Sequence, residues 1–250
     1  MQFVWWQLLL VIVISYLFGN VTFARIIAKC KHKDITKLGS GNPGSTNTLR
    51  NFGLKLGILN LVLDLLKGFI PSIVTFYLFG QNYAYLYIAG ISTIVGHIYP
   101  VIFKFKGGKG IATMMGVFLA ANPIATLITI VVAALVWLCF QYGSVASFLC
   151  VTVLSCIEGV VHKNLPMEQY QLICLLLFAI FLLTWWAHRK NIERLLLGNE
   201  NKVSLTKRTK KNIKRMRKNN TQPLQQTMQQ TETKEHKILT PITDKLSKKV

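Results

Sequence analysis

Two glycine-rich segments of the chain combine small residues with cations in a pattern suited to binding phosphate. Residues 37–50 read KLGSGNPGSTNTLR, and residues 103–113 read FKFKGGKGIAT. Glycine lets the backbone turn its N–H groups toward an anion, and Ser and Asn side chains add donors. Lysines beside a helix N-terminus and the planar guanidinium of Arg50 add positive charge. We therefore predict two anion-binding loops.

The candidate phosphate ligands are the glycines, amide side chains and cations of these two segments. They are Gly41, Asn42, Gly44, Asn47 and Arg50 in the first, and Lys104, Gly107, Gly108 and Lys109 in the second. The first segment also contains GxGxxG, but no strand precedes it, so a dinucleotide site is excluded. The second lacks the GxxxxGK[ST] spacing of a P-loop. The first segment could instead be a flexible loop between two helices, and the second could be an ordinary cytoplasmic anchor of lysines.

A third polar segment, residues 188–200, reads HRKNIERLLLGNE and directly follows the last apolar stretch. His188 and Asn191 are three residues apart and therefore share a helix face. A histidine at this place can carry a proton or donate a hydrogen bond to phosphate. The alternative is a basic juxtamembrane helix that only fixes the topology.

Three further candidates lie in apolar stretches, where ionisable residues are costly. Asp64 and Lys67 are spaced i, i+3 and can pair, so a structural ion pair is at least as good an explanation as catalysis. His97 precedes the second glycine-rich segment by about two turns and could equally be a buried histidine with satisfied hydrogen bonds.

Six apolar stretches must position these residues. They are residues 3–24, 57–79, 83–103, 111–140, 143–161 and 170–187. Most are long enough for the roughly 20 residues that span a bilayer as a helix. Apolar residues make up 52% of the chain and charged residues only 15%, which excludes a soluble globular enzyme for the first 200 residues. We predict an all-α integral membrane protein.

The connecting segments predict the topology. Residues 25–55 carry seven Lys/Arg and residues 104–110 carry three lysines, whereas residues 80–82 carry none. Basic loops stay in the cytoplasm. Asn122-Pro123 should split residues 111–140 into two helices, because proline breaks a helix. The prediction is seven transmembrane helices, with the N-terminus outside and the C-terminus in the cytoplasm.

The charge distribution divides the chain into two parts. Residues 1–202 form the predicted transmembrane domain, and residues 203–250 hold 13 Lys/Arg against 3 Asp/Glu. This Gln/Thr-rich segment is predicted to be a disordered cytoplasmic tail with affinity for anionic lipid. No aromatic residues interleave its cations, so no nucleic-acid partner is expected. The cysteines show no CxxC spacing, and we expect neither a metal site nor a cofactor.

Four motifs in register carry a family resemblance. GSGNPGSTNTLR, DLLKG, GHIYPVIFKFKGGKGIAT and HRKNIERLLLGNE occur in this order within about residues 1–200. Together they resemble the bacterial acyl-phosphate:glycerol-3-phosphate acyltransferase (PlsY) family. The resemblance implies a bacterial plasma-membrane enzyme with its active site facing the cytoplasm. It also implies acyl transfer from acyl phosphate to glycerol 3-phosphate, which yields lysophosphatidic acid and phosphate for phospholipid biosynthesis.

The resemblance assigns roles residue by residue. Ser40, Asn42, Asn47, Arg50, Lys104, Lys109, His188 and Asn191 match the family motifs, and Ser40, His188 and Asn191 are the expected catalytic residues. Ser144 or Ser147 falls where the family has a short serine motif, although Gln141 stands where that motif usually has arginine.

The expected partners are acyl phosphate, glycerol 3-phosphate, membrane lipids and the soluble enzyme that makes acyl phosphate. Acyl phosphate is already activated, so we expect direct transfer without an enzyme nucleophile. Two other functions compete with acyl transfer. One is a phosphate-coupled transporter, which would use similar anion-binding loops. The other is a membrane scaffold whose tail binds lipid or nucleic acid.

Overall fold

The computed structural model describes residues 4–200, and the predicted tail, residues 203–250, lies outside the described part. Within residues 4–200 every regular element is helical, as predicted. The helices are α1 (Trp5–Gly19), α2 (Phe23–Lys29), α3 (Ser45–Phe52), α4 (Leu54–Leu78), α5 (Tyr83–Ile98), α6 (Ile111–Ala121), α7 (Pro123–Phe140), α8 (Gly143–Val161), α9 (Met167–Ala187) and α10 (Arg189–Leu196).

Six helical segments are long and apolar enough to cross a membrane. They are Trp5–Lys29, Leu54–Leu78, Tyr83–Phe103, Pro123–Phe140, Gly143–Asn164 and Met167–Ala187. The seventh apolar helix, α6, has 11 residues and is therefore about 16 Å long, roughly half a bilayer. The chain is a multi-pass membrane protein, and the orientation of its termini stays a prediction.

The predicted split of residues 111–140 is confirmed. α6 ends at Ala121 and α7 begins at Pro123. Asn122 caps α7, because its Oδ1 accepts a hydrogen bond of 3.1 Å from the N–H of Ala125. Pro123 occupies the first helical position, where its missing N–H costs nothing. An Asn-Pro pair thus ends one helix and starts the next.

The apolar stretch of residues 3–24 lies in one membrane-length helical segment, Trp5–Lys29, which a short break divides into two helices. α1 ends at Gly19 and α2 begins at Phe23. The side chain of Asn20 donates to the carbonyl of Tyr16 at 2.7 Å, which competes with continuation of the helical ladder. The break frees the carbonyl of Val21, which accepts a hydrogen bond from Lys67.

The core is built around α5, which packs against α1, α4, α6 and α9. The fully buried apolar side chains of this core include Leu86, Tyr87, Ile94, Met114, Phe118, Leu154 and Ile180. α4 and α6 touch backbone to backbone: a Cβ on Gly68 would meet the carbonyl of Thr113, and one on Gly116 would meet that of Leu65. Small residues allow this approach in membrane bundles. α4 therefore fixes the start of α6.

Candidate active site

A cluster of polar side chains surrounds Glu200 where α8 begins and α10 follows α9. Asn191 Nδ2 donates to Glu200 Oε1 at 2.7 Å, and Arg194 Nε donates to Oε2 at 2.9 Å. Ser144, buried in the first turn of α8, donates to Oε1 at 3.4 Å. The carboxylate therefore joins α8 to α10.

Lys109 reaches this cluster from the loop that precedes α6. Its Nζ donates to Asn191 Oδ1. Burial, together with the nearby Arg194 and Arg50 and against the opposing effect of Glu200, lowers the pKa of Lys109 to about 8. Lys109 therefore remains mostly cationic at neutral pH, although its pKa lies close enough for mild alkali to neutralise it.

Arg50 approaches the same cluster from the last turn of α3. Burial lowers the pKa of its guanidinium, Glu200 raises it, and Arg194 lowers it. The guanidinium nevertheless stays charged at all physiological pH values. Segments far apart in sequence thus bring Arg50, Lys109 and Arg194 to one place, where Glu200 supplies the balancing charge.

His188 stands at the junction of α9 and α10 and is 3% exposed. Its Nδ1 lies 2.9 Å from the carbonyl of Thr184. Because a carbonyl oxygen only accepts, Nδ1 carries the proton and Nε2 keeps a lone pair. Burial first, and then the charge of Lys109, lower the pKa of His188 to about 4. The imidazole is therefore neutral at physiological pH.

The first glycine-rich loop is held together by Asn47, which is 1% exposed. Asn47 Nδ2 donates to the carbonyls of Ile35 and Leu38 at 3.3 and 2.9 Å. Its Oδ1 accepts from the N–H of Ser40 at 3.1 Å and from the side chain of Asn51 at 3.0 Å. Asn47 shapes this loop, and its predicted contact with phosphate would require these bonds to be exchanged.

Two predicted glycines shape the same loop. Gly41 has φ +71°, in the left-handed region that favours glycine. Its N–H donates to Leu38 at 2.9 Å. Gly44 is the N-cap of α3, so the loop leads into a helix N-terminus, which attracts anions. The described contacts thus give Gly41 a conformational role and place Gly44 at the start of the helix that carries Arg50.

The second glycine-rich loop departs from the prediction. Gly107 and Gly108 donate their N–H groups to the carbonyls of Ile98 and His97, both at 3.1 Å. Phosphate binding through these two N–H groups is therefore not supported, since they already have partners within the protein. Both glycines are needed for close approach: a Cβ on Gly107 would meet the His97 carbonyl, and one on Gly108 would meet the His97 ring. The donors that remain are those of the first turn of α6.

The three intramembrane candidates form one buried group. Asp64 and Lys67 make the predicted ion pair at 3.4 Å. Lys67 Nζ also lies 2.8 Å from His97 Nδ1 and 2.6 Å from the carbonyl of Val21. All three side chains are at most 4% exposed. The group lies next to Gly108 and thus beside the loop that carries Lys109.

Other predicted residues do not join the Glu200 cluster through a described contact. Ser40 is exposed and Asn42 is half-buried on the first loop. Lys104 is exposed at a left-handed corner with φ 52°. Ser147 donates back to the carbonyl of Gly143 at 2.8 Å, within its own helix.

Glu200 and Arg194 belong to this cluster but are not among the predicted ligands. Both lie in the third polar segment. The excess of cations indicates that a carboxylate is needed near them, but it does not say which carboxylate.

The fold and the site together define a class: an integral membrane protein with a cation-rich cluster of polar side chains at one end of its helical bundle. A family described as Glycerol-3-phosphate acyltransferase matches residues 9–198. The Glycerol-3-phosphate acyltransferase of Aquifex aeolicus is 38% identical over 194 residues, which cover 78% of this chain and 98% of that protein. The one of Halalkalibacterium halodurans is 40% identical over 204 residues, which cover 80% and 97%.

Two solved structures are similar to this chain in both fold and sequence. The glycerol 3-phosphate form of PlsY (YgiH), an integral membrane glycerol 3-phosphate acyltransferase, superposes with a TM-score of 0.74 and 36% identity, covering 80% of this chain and 98% of that one. Its lysophosphatidic acid form gives a TM-score of 0.71 and 37% identity, covering 79% and 96%. The chain belongs to the glycerol-3-phosphate acyltransferase family and is an acyltransferase of lipid biosynthesis.

Proposed function

We propose that the chain transfers a fatty acyl group from acyl phosphate to the 1-hydroxyl of glycerol 3-phosphate, at the cytoplasmic face of a bacterial plasma membrane. The convergence of Arg50, Lys109, Arg194, Asn191 and His188 around one carboxylate carries this proposal. Cations and donors in this arrangement can hold two phosphates close together. The family gives the acceptor, and the cations Arg50, Lys109 and Arg194, gathered at one place, favour a phosphorylated donor.

Transfer is direct. The hydroxyl oxygen of glycerol 3-phosphate attacks the acyl carbonyl carbon, the bond between that carbon and the bridging phosphate oxygen breaks, and phosphate leaves. Lys109 and Arg50 stabilise the charge that develops on the phosphate. Positioning of this kind is worth roughly 7–11 kcal/mol of the barrier. Ser40 and Asn42, on the first loop, are proposed to contact phosphate once substrate fills the pocket.

The proton of the hydroxyl passes to the departing phosphate. His188 presents the lone pair of Nε2 and accepts the hydrogen bond of the hydroxyl, which orients it. With its pKa lowered to about 4, His188 is a much weaker base than the departing phosphate, whose bridging oxygen keeps the electron pair of the broken bond and gains a negative charge. The phosphate therefore holds the proton when transfer is complete, and His188 returns to its neutral state.

An apolar groove between α7 and α8 offers a place for the acyl chain. Its volume is about 500 Å³, and Ile128 and Val132 face Leu149 and Val153 across it. Leu149 follows Ser144 by five residues, which is about 8 Å along the axis of α8. A chain in this groove would extend away from the Glu200 cluster into the apolar part of the bundle.

The decisive test is an assay of purified full-length protein in lipid vesicles with palmitoyl phosphate and glycerol 3-phosphate. We expect lysophosphatidic acid and phosphate in equal amounts, and no product from palmitoyl-CoA. Product from palmitoyl-CoA alone would overturn the choice of donor. Ping-pong kinetics with a trapped acyl-enzyme would overturn direct transfer. Transport of phosphate without acylation would favour a transporter.

Cys30 offers a test of orientation, because it is exposed just after α2 in a segment predicted to be cytoplasmic. In a variant whose other cysteines are alanine, a membrane-impermeant maleimide should label Cys30 in inverted vesicles and not in intact cells. The matched control moves the cysteine to Gln81, between α4 and α5, where the pattern should reverse. Labelling of Cys30 in intact cells would refute the cytoplasmic site.

A further inference from the structure

The buried group of Asp64, Lys67 and His97 makes no described contact with the Glu200 cluster, yet it is costly. Removing ionisable groups from water costs several kcal/mol each, and pairing offsets this cost only where the geometry is excellent and the remaining hydrogen bonds are made. All three lie in membrane-spanning segments. Helices that needed only to associate could pack with apolar residues instead. The group therefore calls for an explanation beyond stability.

The hydrogen bonds indicate which atoms of Lys67 and His97 donate and which accept. Lys67 Nζ faces three acceptors: the carbonyl of Val21 at 2.6 Å, His97 Nδ1 at 2.8 Å and Asp64 Oδ1 at 3.4 Å. An ammonium has three donors and no acceptor, so His97 Nδ1 must accept. The proton of the His97 ring then lies on Nε2, the atom that a Cβ on Gly108 would meet. The ring orientation is thus fixed from both sides.

On one side, this group supports the loop that carries Lys109. The ring of His97 lies against Gly108, and its carbonyl accepts the N–H of Gly108 at 3.1 Å. Lys67 holds the ring in place from α4, and α4 also fixes the start of α6 through the contact of Gly68 with Thr113. A shift of the His97 ring would therefore move Gly108 and its neighbour Lys109.

On the other side, the group reaches α3, the helix that carries Arg50. Asp64 Oδ2 accepts from Asn60 Nδ2 at 2.9 Å, and the same Nδ2 donates to Ser45 Oγ at 2.9 Å. Ser45 directly follows Gly44, begins α3 and precedes Arg50 by five residues. A continuous chain of contacts thus runs from Ser45 to Gly108.

We propose that Asp64, Lys67 and His97 are positioning residues that set the spacing between α3, which carries Arg50, and the loop that carries Lys109. This inference rests on the proposed function, since it concerns the alignment of the two substrates. α3 and the Lys109 loop each keep their own phosphate-binding side chains when the distance between them changes. Loss of the network should therefore lower kcat, which depends on alignment, and leave both KM values almost unchanged.

The test uses the triple variant Asp64→Leu/Lys67→Met/His97→Leu. Replacing all partners of a buried ionic group by apolar residues is often neutral or stabilising, whereas removing one partner is not. We expect a thermal midpoint close to that of the wild type and a kcat about 100-fold lower, since misplacement of about 1 Å can cost this much. Both KM values should stay within about fivefold.

Tyr87→Phe is the matched control, because Tyr87 belongs to a second buried network that the mechanism does not use. Its hydroxyl donates to Glu158 at 2.7 Å, and His162 lies 3.2 Å from the same carboxylate oxygen. We expect kcat within about twofold of the wild type in this control. A loss of kcat equal to that of the triple variant would overturn the proposal, because the effect would then come from general loosening of the bundle.

A stable triple variant with kcat within about threefold of the wild type would show that the network is only structural. If the triple variant fails to fold, two single variants decide. Asn at position 97 can present Oδ1 to Lys67 as His97 presents Nδ1, so His97→Asn should retain kcat within about tenfold, and His97→Leu should lose about 100-fold. Equal kcat values in the two folded variants would overturn the proposal.

The wild-type protein in the same vesicles separates this proposal from the proposed function. Absence of turnover with acyl phosphate in the wild type would refute the donor, not the network. The network would then be tested by calorimetric titration of glycerol 3-phosphate into each variant. Affinity within about threefold of the wild type would agree with positioning, and loss of binding would contradict it.

Discussion

The alkaline limb of the pH profile should report the ionisation of Lys109. Burial and two neighbouring guanidinium groups lower its pKa to about 8. Because the charged form holds phosphate, kcat/KM should be high below that pH and fall above it. The ammonium fraction is about 91% at pH 7 and about 9% at pH 9, so kcat/KM should drop about tenfold across this interval. The pH dependence of kcat/KM reports ionisations in the free enzyme, which is the state to which the pKa of Lys109 applies.

The assay measures lysophosphatidic acid, because acyl phosphate also hydrolyses spontaneously in alkali. The matched variant is Lys109→Arg, whose guanidinium stays charged throughout the range. Its kcat/KM should be lower at pH 7, since a planar group replaces an ammonium, and should stay flat to pH 9.5. A wild-type profile that is flat to that pH would refute the assigned role. So would an alkaline limb of the same midpoint in Lys109→Arg.

Three further predictions concern the charges and the tail. Arg50→Ala should raise KM for at least one substrate by about ten- to 100-fold, the value of a charged hydrogen bond, and Arg50→Lys should recover part of the loss. Glu200→Gln removes the charge that opposes Arg194, so the alkaline limb of Lys109 should move to lower pH; an unchanged limb would show that the carboxylate does not act electrostatically. Deleting residues 203–250 should leave kcat/KM in neutral vesicles within about twofold, whereas a larger loss would place part of the active machinery in the tail.

The membrane spans were largely predictable from the sequence. Apolar length identified six of them, and Asn122-Pro123 placed the split that produces α6 and α7. The break after Gly19 has a local signal in Gly19, Asn20 and Thr22, residue types that end and begin helices, but the apolar length of the stretch outweighs it. The part that depends on tertiary structure is the partner of the freed Val21 carbonyl, which is Lys67, 46 residues away.

The site was predictable as a set of segments and less so as a set of contacts. Residue types marked Arg50, Lys109, His188 and Asn191, because cations, an imidazole and an amide suit phosphate chemistry. The partner of these groups, Glu200, could not be identified, since an acidic residue after a basic helix has no distinctive local pattern. Its role arises only when three separate segments meet.

The prediction that Gly107 and Gly108 bind phosphate was not supported, for a related reason. A double glycine beside lysines has the composition of an anion-binding turn, and composition does not say which way an N–H group points. In the fold, Gly107 and Gly108 turn inward to the carbonyls at the end of α5. Their lack of a side chain serves close packing on His97, which only the three-dimensional structure reveals.

The depth of Lys67 has a consequence for how reactants come and go. Lys67 lies thirteen residues after Leu54, where its span begins, which is about 20 Å along the helix. Irregular backbone at such a depth is tolerated inside a bilayer where it is buried in protein or lines a water-filled cavity. The loop beside Lys67 meets the first condition through its hydrogen bonds to the end of α5, so the polar acceptor and phosphate would exchange with water from the outer side of that loop. The acylated product, anchored by its tail, would slip sideways between helices into the surrounding leaflet.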